Sequence, residues 1–89
     1  MAEEKDYKNL INEIIAKQTV VLGSDIVLLK ARSVPGLKLD NSGRAESIEG
    51  NPQEVLNALV DAYISLSGQI VKNILNPIFE KYPDIKIKT

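Results

Sequence analysis

The chain has 89 residues, 44% of them hydrophobic and 26% charged, a composition that suits one globular domain and argues against wholesale disorder. Eleven basic residues against 12 acidic ones give a net charge of -1, with no basic excess to meet a nucleic-acid phosphate backbone. His, Cys and Trp are absent, which excludes a conventional structural zinc site, a haem axial His or Cys, a thiol nucleophile, a Ser-His-Asp triad and histidine phosphotransfer.

Residues 1–8 are charged and acidic, with no apolar signal-peptide core behind a basic patch. Residues 62–71 are uncharged but contain Ser65, Ser67, Gly68 and Gln69, and Asp61 and Lys72 bound them. A spanning helix needs about 20 mostly apolar residues, so no membrane segment is expected. Without cysteine there is no disulfide framework of the kind small secreted domains use. The expectation is a cytoplasmic protein with neither a membrane nor a nucleic acid as partner.

Tyr7, Leu10, Ile11, Ile14 and Ile15 recur at three- and four-residue steps, the spacing of one helix face. Glu3, Glu4 and Asp6 stand at the front, where the positive end of the helix dipole favours them. A helix is predicted over about residues 4–18. The following Thr19-Val20-Val21-Leu22 is β-branched enough for a strand, yet Leu22, Ile26 and Leu29 prolong the helical stripe. Gly23 weakens a continuous helix by roughly 1 kcal/mol relative to Ala. The reading is therefore two helices with a joint there, the second over about residues 24–33 with Ser24 as its cap.

Val34-Pro35-Gly36 ends that helix, because the residue before Pro is pushed out of the helical region. Leu37-Lys38-Leu39-Asp40 alternates, Asn41-Ser42-Gly43 is a turn, and Arg44 to Glu49 forms a return strand. Together they read as a β-hairpin over about residues 37–49. A lone hairpin is marginal in water and must lie against something else.

Asn51, Pro52 and Glu54 spell a helix start: a favoured cap, Pro at the first helical position, and an acid three residues after the cap. Behind them Leu56, Leu59, Val60, Tyr63, Ile70, Ile74 and Ile78 fall on one stripe. One long helix is predicted over about residues 52–76, about 37 Å in length, bent near Pro77 and continuing to about residue 82. The tail 85–88 alternates apolar and basic residues and is too short to assign.

The carboxylates give no sign of paired acid–base chemistry: Asp25 is in a capping region, Asp40 and Asp84 are beside turns, and Asp61 is on a polar helix face. Asp40 to Glu49 lacks the ligand order of a calcium loop. Gly23-Ser24 has no second Gly or following Lys to make a phosphate-binding loop. No catalytic residue, metal or cofactor is expected.

The fold class is mostly α: two N-terminal helices, a short hairpin and one long C-terminal helix in a single domain, residues 1–89. The long stripe outruns the two shorter helices, so a homodimer is expected to complete the core. Leu59, Tyr63, Leu66, Gly68, Ile70 and Ile74 are the interface candidates, with Ser65, Ser67 and Gly68 small enough for a second backbone to cross closely. The expected function is a non-enzymatic protein–protein interaction or regulatory module acting through apolar helix faces. The alternative is a small-molecule sensor with an aliphatic pocket and Tyr63 or Tyr82 as polar handle.

Overall fold

The computed structural model describes residues 3–85, apart from the side chains of Ser67, Gln69, Ile70 and Val71. It holds four helices, α1 (Glu4–Leu22), α2 (Ser24–Arg32), α3 (Pro52–Ser67) and α4 (Gln69–Phe79), and two strands, β1 (Leu37–Leu39) and β2 (Ala45–Ile48). The tail 86–89 lies outside the described residues.

The helix α1 starts where its charge pattern places it. The Glu3 backbone N–H donates to Asp6 Oδ2 at 3.0 Å, so Asp6 closes the first turn from inside. The helix then runs four residues beyond the expected end. Thr19 is held by a hydrogen bond from its hydroxyl to the Ile15 carbonyl, 2.7 Å, and β-branched residues lose only a little in a helix, so the helix continues through them. At Gly23 the backbone turns to φ 92°, ψ 151°, a conformation natural only to glycine. Its N–H still bonds the Thr19 carbonyl at 3.0 Å. The cap of α2 is Gly23 itself and not Ser24, which is already the first helical residue.

The hairpin is antiparallel, pairing Leu37 with Ile48, Lys38 with Ser47 and Leu39 with Ala45, with an irregularity between Lys38 and Leu39. One carboxylate oxygen organises its turn: Asp40 Oδ1 accepts from the Ser42 N–H (2.9 Å), the Ser42 hydroxyl (2.6 Å) and the Arg44 N–H (3.1 Å). Hydrogen bonding from Ser42 and then the Arg44 amide holds the Asp40 carboxyl below the usual carboxylate range. The hairpin lies against α1, where Asn12 Oδ1 accepts the Ala45 N–H at 2.7 Å, and Leu37, Ala45 and Ile48 are buried.

The helix α3 begins as its sequence dictates, with Asn51 Oδ1 accepting the Gln53 N–H at 2.8 Å and Pro52 in the first turn. The predicted single long helix, however, is two. The break falls at Gly68 (φ 54°, ψ -111°), not at Pro77, which sits inside α4. The reason is one backbone inversion that returns α4 onto α1, so that Leu75 and Ile78 are buried within the same chain. The core lies between these layers, with Leu10, Ile11, Ile14, Leu56, Leu59 and Tyr63 among its wholly buried side chains.

One polar group enters this core unaccompanied. Gln18 is wholly buried, and among the described residues neither its amide oxygen nor its amide nitrogen has a hydrogen-bond partner. Burying an unpaired amide costs about 1–3 kcal/mol. Gln18→Met keeps the length and drops both polar atoms, and is expected to stabilise the protein by about 1–2 kcal/mol in chemical denaturation. Asn51→Ala is expected to cost about 1 kcal/mol, and Asn51→Gly only a few tenths; equal effects in the same denaturation series would remove the cap from the account.

Candidate functional site

Once α1 extends through Leu22, Val20 falls opposite the buried stripe and Val21 stays in phase with Leu10 and Ile14 but lies past the covered part of the helix. Val20 is 84% exposed and Val21 45%. They stand beside α4, where Lys17, Val20, Val21, Asn73, Ile74, Pro77, Ile78 and Lys81 line an open groove of about 430 Å³. Its floor is aliphatic, with Lys17 and Lys81 at its edge. Lys81 Nζ also meets Glu13 Oε1 at 3.1 Å, which ties the segment after α4 to α1. Among the described residues two further large apolar side chains are exposed elsewhere, Leu29 of α2 at 63% and Leu66 of α3 at 37%.

The six interface candidates separate. Leu59 and Tyr63 are completely buried in the chain's own core. Leu66 is exposed, and Ile74 is half-buried on the groove. The side chain of Ile70 lies outside the described residues. Gly68 is the joint between α3 and α4, and among the described residues a Cβ there would meet nothing nearer than its own chain's Ile64 carbonyl at 4.0 Å. Close backbone crossing within the chain is therefore not what this glycine serves. The structure thus brings Ile74 together with Val20 and Val21, which sequence reasoning had not chosen. A signal for them existed: on a helix continued through Leu22, Val20 falls opposite Ile11 and Ile15, an aliphatic side chain on an otherwise polar face.

The tyrosines differ. The Tyr63 hydroxyl donates to the Val27 carbonyl at 3.0 Å inside the core, linking α3 to α2. Burial pushes its phenol well above the ordinary 10.0. Tyr82 lies at a shallow depression with Asn9, Asn12, Glu13 and Arg44; partial burial and then the Glu13 carboxylate push its phenol up.

A second depression of about 400 Å³ lies where Pro35, Gly36, Glu49 and Asn51 meet Val55 and Ala58. Glu49 there is paired with Lys38 at 2.8 Å on the surface. Among the described residues no group of three or more Asp or Glu could hold a metal ion, and no helix is long and apolar enough to cross a membrane. No protein-family model matches the chain, no curated protein matches it, and no solved structure matches it.

The buried phenol sets an alkaline limit. A group whose proton is held more tightly in the folded state contributes stability below its unfolded pKa and loses it as pH rises. Stability measured by denaturation is therefore expected to fall above about pH 10. Tyr63→Phe is expected to flatten that decline and to cost about 1 kcal/mol at neutral pH through the lost bond to Val27.

Proposed function

We propose that this chain is a non-enzymatic protein–protein interaction or regulatory module of the cytoplasm, working through apolar helix faces and associating as a homodimer. The observation that carries the reading is the aliphatic face shared by α1 and α4, with Val20 84% exposed beside Val21, Ile74 and Pro77. An isolated exposed valine needs no explanation, but a contiguous apolar groove between two helices marks a surface with a partner. Helix-lined grooves of this kind accept another helix through residues spaced by a turn. The flanking Lys17 and Lys81 keep the groove rim polar, which is how interfaces are bounded.

Light scattering coupled to size exclusion tests this directly. At tens of micromolar the particle is expected to have about twice the 9.8 kDa chain mass. Val20→Glu places a charge on a side chain that makes little contact in its own chain. It is expected to weaken association at least tenfold and leave the fold intact by circular dichroism, the penalty of burying an unpaired charge being well over 1.4 kcal/mol. A monomer at every concentration, unchanged by Val20→Glu, would sink the dimer reading.

A further inference from the structure

The joint at Gly68 has no loop. The Gly68 N–H bonds the Ile64 carbonyl at 2.7 Å, as in an uninterrupted helix, and the Gly68 carbonyl accepts the Lys72 N–H at 3.2 Å, again four residues apart. Helical hydrogen bonding thus reaches the joint from both sides, and a single inverted residue, φ 54° and ψ -111°, separates α3 from α4. The residues on either side carry one stripe: Leu56, Leu59, Val60 and Tyr63 before the joint, and Ile74 and Ile78 after it, fall on the same side of a helix drawn straight through residue 68. A helix drawn straight through residue 68 would thus keep these apolar residues on one side.

The straight form does not fit inside one molecule. A continuous helix over residues 52–79 would be about 42 Å long, whereas the whole chain measures 31 Å in its largest dimension. Straightening at Gly68 must carry α4 away from its own α1. The face of α1 that α4 leaves, and the buried Leu75 and Ile78 of α4, are then both uncovered, and each is complementary to the other on a second copy. We infer that two copies of this chain exchange α4: each chain straightens at Gly68 and docks its α4 on the α1 of the partner. The exchanged dimer repeats the contacts of the closed chain and differs only at the joint, which is why short hinges between complementary elements favour exchange.

This inference uses the buried face of α4 and does not rest on the exposed groove. Its lever is Gly68. The position is roomy enough for a Cβ, so alanine acts only through the backbone: it opposes the inverted conformation and favours the helix. Both joints of a dimer gain, and Gly68→Ala is expected to raise the association constant at least about a hundredfold.

Because Lys81 also lines the groove, exchange is distinguished from face-to-face pairing by cross-linking chains that all carry Val20→Glu, which disables pairing through the groove. The chain has no cysteine, so introduced thiols are unique. Glu13 of α1 and Lys81 after α4 meet in the closed chain at 3.1 Å, with Lys81 exposed and Glu13 half-buried at the surface. Two Gly68→Ala proteins, one with Glu13→Cys and one with Lys81→Cys, are mixed in denaturant, refolded together and treated with a short bis-maleimide. The doubly substituted chain confirms that the reagent spans the two sites. Exchange predicts a covalent dimer containing one chain of each kind. A folded Gly68→Ala protein that yields no mixed dimer overturns the inference. If Gly68→Ala does not fold, the same pair with Gly68 retained, refolded at the highest soluble concentration, decides the matter by the same product. A scattering dimer without mixed cross-links overturns exchange and leaves the surface reading standing. A native chain that stays monomeric at its highest soluble concentration overturns exchange by the native protein, whatever the Gly68→Ala variant forms.

Discussion

Burial of the apolar stripe of α1 is the interaction on which the other elements depend. Leu10, Ile11 and Ile14 are wholly buried, each contributing about 1.5–3 kcal/mol against exposure. The helices α2, α3 and α4 and the strand β2 all pack on α1. The two-stranded hairpin would be marginal alone; it persists because Asn12 of α1 accepts the Ala45 amide and because Leu37 and Ile48 close over the same core. The link between α3 and α2 through Tyr63 and the Val27 carbonyl closes the layer on the other side.

Two glycines make that arrangement reachable by so short a chain. Gly23 and Gly68 each reverse a helix without a connecting loop, so almost every residue on either side can remain helical. A non-glycine residue at either position would be held in a backbone region that L side chains avoid. The joints differ in what they leave behind. Val20 and Val21, in the turn before Gly23, remain exposed. Gly68 returns α4 beside those valines and so creates the groove that the functional proposal rests on. The same α1 thus serves as the centre of the core on one face and as a wall of the candidate interaction surface on another.

Some of this was legible in the sequence because it is local. The α1 stripe, the Asn41-Ser42-Gly43 turn and the Asn51-Pro52 helix start each depend on a few neighbouring residues, and each appears where its chemistry places it. Ile74 was legible as an apolar residue on a helix face and does line the groove. The end of α1 was not, because the β-branched Thr19-Val20-Val21 suits a strand locally and that preference is too weak to stop a helix already formed. Val20 and Val21 were missed for the same reason: their exposure has meaning only once they are on a helix.

The sequence by itself determined the helical class, the hairpin and the start of α3, since capping, turn formation and periodicity act over a few residues. Only the tertiary structure decided that residues 52–79 form two helices and that Leu59 and Tyr63 belong to the chain's own core. The stripe continues in phase through Gly68, and a glycine is as much at home at positive φ as at negative. Its sign is set by whether α4 finds an apolar surface to return to, and that surface is the face of α1, some fifty residues away along the chain.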